Sequence, residues 1–136
     1  METHLHLSSK MDALARLISE LHEFCQGNGL DTEFSLEIQL VLEELVVNII
    51  HHGTAENEEV PIDISLAVTD HVLHIKVEDG GRPFDPLTHQ VQALDIPFEE
   101  REIGGLGILL VRELMDSVSY CYSHGKNIVT LTKKIH

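Results

Sequence analysis

The succession of periodicities along the chain predicts an α+β fold, a two-layer sandwich with a mostly antiparallel sheet and helices on one face. Three observations carry that prediction. Two stretches of helical period near the N-terminus give way to strands of period two, those strands return on themselves through short polar turns, and a second strand pair closes the chain. Short connections enforce antiparallel pairing, because a parallel return needs a long crossover. At 136 residues and 43% apolar content, the chain reads as one domain, 1–136, with enough apolar side chains to build a core.

In chain order, Thr3 to Leu7 alternates Leu5 and Leu7 with His4 and His6, the pattern of a short edge strand with its histidines outward. A histidine pair at i and i+2 could hold a metal, but no further ligand is spaced to help, so a solvated strand face is the better reading. Either Ser8 or Ser9 caps a helix whose Met11, Leu14, Leu17, Ile18, Leu21 and Phe24 fall on one stripe, and Gly27-Asn28-Gly29 ends it. His22-Glu23 within it reads as a surface pair.

Either Asp31 or Thr32 caps the next helix, which runs to Gly53 and organises the rest. Glu44 and Asn48 lie one turn and about 40° apart on it, between Glu37 and Val41 above and His51 below. Leu40, Leu42, Leu45, Val46, Val47, Ile49 and Ile50 cover most of the remaining circumference, so the helix is expected to be buried on most sides. A carboxylate and a carboxamide on such a helix either meet a metal ion, water or ligand, or form a stripe that faces solvent. Glu43 points elsewhere.

Residues 54–59 read as a solvated loop, and from Val60 the period becomes two, with Ile62, Ile64, Leu66 and Val68 on one face and a turn at Thr69-Asp70-His71. On the return strand Leu73, Ile75 and Val77 share a face, and the same parity, if the strand extends that far, aims Asp79 at the core. DGGRPFDP then marks a tight turn. From Asp85 to Ile103 periodicity is lost, as in a functional or mobile loop. The glycines Gly104 to Gly107 precede a helix with apolar spacing at Leu109, Leu110 and Leu114, where backbone N–H groups can approach a phosphate. A hairpin finishes the chain, with Val118, Tyr120 and Tyr122 on one strand, a turn at His124-Gly125-Lys126-Asn127, and Val129, Leu131 and Ile135 on the other.

A formal charge of −14 repels a phosphate backbone and excludes nucleic acid as a partner, leaving basic protein surfaces as the complementary class. Cys25 and Cys121 lie in no CxxC or zinc-like spacing and read as reduced, packed thiols. With no signal-peptide core and no run of 18 apolar residues, secretion and membrane spanning are not expected, and a cytoplasmic location is.

Three separated polar features therefore need a common purpose: Glu44 with Asn48, Asp79, and the glycine run. Their order and content resemble the GHKL ATPase superfamily, whose Bergerat fold is shared by sensor histidine kinases, type II topoisomerases and mismatch-repair ATPases. Glu44-x-x-x-Asn48 resembles the N box, Asp79-Gly80-Gly81 the first glycine box, and Gly105-Leu106-Gly107 the second. Within that superfamily EELVVNIIHHG, DGGRPFDP and GGLGILLVRELMDSVSY are most similar to the bacterial anti-sigma-factor serine/threonine kinases.

The resemblance implies an ATP-dependent serine kinase that phosphorylates a small anti-anti-sigma (STAS-type) partner and restrains a sigma factor. It implies that Asn48 holds Mg²⁺ on the ATP phosphates, that Asp79 accepts a hydrogen bond from the adenine amino group, and that Gly81 lets the backbone approach the base. Residues 86–103 would form the ATP lid, Gly105, Leu106 and Gly107 would present amides to the phosphates, and Glu44 would be the general base. It also favours a homodimer. The chain departs from the kinase pattern at Ile103-Gly104, where a basic residue often precedes the glycine pair; Arg101 in the lid is the nearby cation. The alternative reading keeps the fold and drops the transfer: a nucleotide-gated regulator that sequesters its partner.

Overall fold

A computed structural model of the chain describes residues 2–8, 13–52, 59–87 and 105–135. The elements follow in the order β1 (Glu2–Ser8), α1 (Ala13–Gly27), α2 (Thr32–His52), β2 (Pro61–Thr69), β3 (Val72–Asp79), α3 (Gly105–Leu114), β4 (Ser117–Ser123) and β5 (Lys126–Lys134). All pairings in the single five-stranded sheet, β1-β2-β3-β5-β4, are antiparallel. This is the α+β sandwich expected from the periodicities, with β1 at one edge.

Helix ends follow local chemistry. Asp31, not Thr32, caps α2, its Oδ1 accepting from Phe34 N at 2.7 Å. At the end of α1, Gly29 adopts φ +67, Leu30 N bonds Cys25 O and Gly29 N bonds Gln26 O, a Schellman closure that a left-handed glycine makes cheap. Ser8 ends β1, while Ser9, Met11 and the start of the α1 cap lie outside the described residues, as do 54–58.

Both hairpins turn on two residues in the left-handed region, Asp70-His71 (φ 53 and 61) and His124-Gly125 (φ 53 and 77). This turn type matches the twist of the flanking strands. The second turn is therefore tighter than the expected His124 to Asn127: Lys126 and Asn127 already pair with Ser123 and Tyr122.

The inner sheet face is built from cross-strand rows. Leu5, Ile64, Val77, Val129 and Tyr120 form one, and Leu7, Ile62, Asp79, Asn127 and Tyr122 the next. Leu17, Leu21 and Phe24 of α1, with Ile38, Leu42 and Leu45 of α2 and Val111 of α3, join the sheet in one core. The opposite sheet face is polar, with His4 bonded to Ser65 and His6 to Asp63.

Three expectations need correction. Leu109 and Leu110 are exposed, at 41% and 37%; α3 turns Val111 inward instead, with Met115 just beyond it, because the inward face of α3 lies on the side of the helix away from both leucines. Cys121 is exposed, since it sits on the outer face of edge strand β4, whereas Cys25 is buried as a packed thiol. Leu40 is 45% exposed, whereas the other residues expected to cover α2 are buried (Leu42, Leu45, Val46) or half-buried (Val47, Ile49, Ile50). No helix among the described residues is long and apolar enough to cross a membrane.

Candidate functional site

The buried stripe of α2 runs through Phe34, Ile38, Val41, Leu45 and Asn48, a spacing of four, three, four and three residues. Asn48 thus occupies a core position, at 4% exposure, and does not face solvent. Its Nδ2 is buried and has no hydrogen-bond partner among the described residues. A buried donor left unmade costs about 1–3 kcal/mol, so Asn48 Nδ2 calls for an acceptor from a water or a ligand.

Asp79 is the second polar group in the core. Parity along β3 drives it inward after Leu73, Ile75 and Val77, to 6% exposure. Its Oδ1 accepts from Gly81 N at 2.9 Å and from Asn127 Nδ2 at 3.0 Å. Among the described residues no donor reaches Oδ2. Burial pushes the Asp79 carboxyl above its ordinary range, and the bonds from Asn127 and Gly81 partly offset that rise.

Asn127 is the functional candidate that sequence reasoning missed. It is 3% exposed and stands directly opposite Asp79 across the β3–β5 ladder. Its Nδ2 also donates to Arg82 O at 2.8 Å, while its Oδ1 accepts from Phe84 N at 3.0 Å and from the Tyr120 hydroxyl at 2.5 Å. The available signal was parity: Asn127, Val129 and Leu131 alternate on one face, as Val77 and Asp79 do on β3.

Asn48, Asp79 and Asn127 line one cavity, walled by Leu45, Val77 and Phe84. Its volume is about 20 Å³, room for one water and far too small for a purine. Three walls belong to α2 and the sheet. The fourth is the irregular segment from Gly80 to Leu87, held by side-chain bonds such as Phe84 N to Asn127 and Arg112 Nη2 to Leu87 O (2.8 Å) rather than by a strand ladder.

Glu44 is partly buried one turn before Asn48 and is not part of the cavity wall. Burial first, and then the neighbouring Glu43 charge, raises its carboxyl above the ordinary range. Glu43 itself accepts from Gln39 Nε2 at 2.9 Å. Glu37, further up the same stripe, pairs with Lys133 at 3.1 Å and so fastens α2 to β5. Gly105, Leu106 and Gly107 form the first turn of α3 rather than a loop before it, which makes their N–H groups the donors a helix leaves unpaired at its start. Residues 88–104, with most of the expected lid and with Arg101 and Ile103, lie outside the described residues.

Comparison with known proteins agrees with this fold. The family described as "Histidine kinase-like ATPase domain" matches residues 7–133. The anti-sigma F factor of Bacillus subtilis is 36% identical over 83 residues, 61% of this chain and 57% of that protein. The serine-protein kinase RsbW of Listeria monocytogenes is 29% identical over 112 residues, 79% of this chain and 71% of its own. The matched stretch thus spans little more than half of the first relative's length. Among solved structures, the RsbU and RsbW domains of a Mycobacterium tuberculosis protein superpose with a TM-score of 0.71 at 19% identity, over 99% of this chain and 32% of that one. The catalytic domain of the histidine kinase ThkA does so at 0.55 and 15%, over 99% and 97%. At those identities the likeness establishes the fold.

Proposed function

Because the chain belongs to the histidine kinase-like ATPase domain family, we propose that it is an ATP-dependent serine kinase acting as an anti-sigma factor, whose substrate is a small anti-anti-sigma (STAS-type) protein. The relatives named anti-sigma F factor and serine-protein kinase RsbW support that reading. The observation that carries it is the orphaned Asn48 amide beside a buried carboxylate with one oxygen uncommitted. A cavity lined by such groups suits a ligand that brings both donors and acceptors, as a purine nucleotide does.

The roles divide by chemistry. Asp79 Oδ2 accepts from the exocyclic amine of adenine, and Gly81, fixed by its bond to Asp79, keeps the backbone close to the base. Asn48 would hold Mg²⁺ through its carboxamide oxygen, with Nδ2 left to donate to an acceptor of the ligand. Bound Mg²⁺ supplies charge neutralisation on the ATP phosphates. Gly105, Leu106 and Gly107 present first-turn N–H groups to those phosphates, and residues 86–103 close over the nucleotide as a lid. Glu44, its carboxyl raised by burial, takes the proton of the serine hydroxyl. The protein works in the cytoplasm as a homodimer that holds a sigma factor or another regulator, and its net charge of −14 suits a basic partner surface.

Two observations favour a second reading. Glu44 stands outside the cavity wall, and Ile103-Gly104 supplies no cation ahead of Gly105, as a nucleotide-gated binder without transfer would have it. A phosphorylation assay with MgATP and the cognate partner separates the two. The kinase reading expects wild type and Glu43→Gln to label the partner serine, while Glu44→Gln binds ATP but transfers about 10²–10⁴-fold more slowly. ATP-dependent capture of the partner with no transfer by wild type establishes the binder instead.

A further inference from the structure

The Tyr120–Asn127–Asp79 chain uses more hydrogen-bonding capacity than strand pairing needs. Asn127 commits both ends of its carboxamide: Oδ1 receives Tyr120 Oη and Phe84 N, and Nδ2 serves Asp79 Oδ1 and Arg82 O. A carboxamide bonded at both ends cannot turn over, so a donor always faces Asp79. Both donors to Asp79, Asn127 Nδ2 and Gly81 N, converge on the same oxygen. The two oxygens of one buried carboxylate are thereby made unlike, one saturated and one open.

We propose that Asn127 is a positioning residue for base recognition, holding Asp79 so that Oδ2 alone faces the ligand as an acceptor. The inference rests on the nucleotide reading above and deepens it: the specificity is for a base with an exocyclic amine at the point Oδ2 reaches, adenine over guanine. Tyr120, diagonal to Asn127 on the neighbouring strand, sets the amide's orientation.

The same contacts tie recognition to protonation. A protonated Asp79 offers a donor where the amine also donates, so ATP affinity falls as pH drops through the Asp79 pKa. Burial raises that pKa and the Asn127 bond lowers it. Removing Asn127 therefore raises it further, and affinity is lost at a higher pH. The groups around Asp79 are Asn127 of β5, Ile62 of β2, Asn48 and Leu45 of α2, and Phe84 of the following segment; the nearby titratable ones are Tyr120 of β4 and Asp85.

The test measures ATP and GTP binding by calorimetry between pH 5 and 8 for wild type, Asn127→Ala and Tyr120→Phe. Wild type prefers ATP. Asn127→Ala loses about tenfold or more in ATP affinity, loses preference over GTP, and has its acid limb at higher pH; Tyr120→Phe shifts the limb the same way by less, and carries the test alone if Asn127→Ala fails to fold. Variants that weaken ATP and GTP equally with an unmoved pH profile overturn the proposal, leaving Asn127 a strand brace. Absence of ATP binding by folded wild type overturns the nucleotide reading itself, and this inference with it.

Discussion

Asn48 and Asp79 line the same cavity from opposite layers, one from α2 and one from β3, yet their bonding is unequal: two donors converge on Asp79 Oδ1 and nothing meets Asn48 Nδ2. A core normally tolerates a buried amide only when it is satisfied. The inequality marks Asn48 Nδ2 as the group that a ligand or a water would satisfy.

Replacing Asn48 by leucine, close in volume and without the orphan donor, is expected to stabilise the apo protein by about 1 kcal/mol. The same variant loses the increase in melting temperature that MgATP gives wild type. Melting curves with and without MgATP check both halves; an apo variant less stable than wild type that still responds to MgATP refutes the assignment.

Asp79→Asn separates stability from binding through pH. Burial raises the folded-state pKa of Asp79 above its unfolded value, so the neutral carboxyl favours the fold at low pH and that contribution is lost as pH rises through the folded pKa. The asparagine variant, never ionised, is expected to melt higher than wild type near pH 7, with the gap closing on acidification. ATP binding is expected to disappear, since the amide can set a donor against the adenine amine. Equal melting temperatures at pH 7 and pH 4 contradict the first expectation, and retained ATP affinity the second.

The transfer rate carries its own pH signature. A general base works only when ionised, so the rate rises with pH through the Glu44 pKa, which burial and then Glu43 raise. Glu43→Gln removes the second cause, and the acid limb of the rate profile should move to lower pH with the plateau rate kept. An unmoved limb argues that another group titrates.

His71 holds φ 61 in the β2–β3 turn, a conformation costly for a side chain. Offset by the added unfolded-state entropy of glycine, His71→Gly is expected to gain on the order of 0.5 kcal/mol. Urea midpoints measured side by side decide it.

Much of the architecture was legible because strand parity and caps are local. Leu73, Ile75 and Val77 aim Asp79 inward once the strand extends to it, as β3 does, and Asp31 or Thr32 ahead of an apolar stripe marked the start of α2, the structure selecting Asp31. Asn127 was not, because Gly125 and Asn127 both suit turns, and only the pairing of Ser123 with Lys126 assigns Asn127 to the strand. The α3 face was misread for a tertiary reason: Leu109 and Leu110 are as apolar as Val111, and only the position of α2 selects Val111. Asn48 was readable as polar on an apolar helix, but its missing partner is a property of the assembled layers.

Four of the five strands form two hairpins, β2–β3 and β4–β5, each closed by a two-residue turn, that meet along β3 and β5, while β1 pairs with β2 at the edge. Each hairpin closes a short loop, whereas even the pair nearest in sequence across the seam, Asp79 and Asn127, is 48 positions apart along the chain, so the seam carries a larger closure entropy than either turn. Assembly of the cavity therefore belongs to the slow, long-range part of folding. A nucleotide seated there acts as a rivet through that joint, and saturating it at a hundred times its dissociation constant would hold the halves together by about 2.7 kcal/mol. Resistance to pulling the two hairpins apart should thus depend on ATP concentration, while each hairpin's own opening should not.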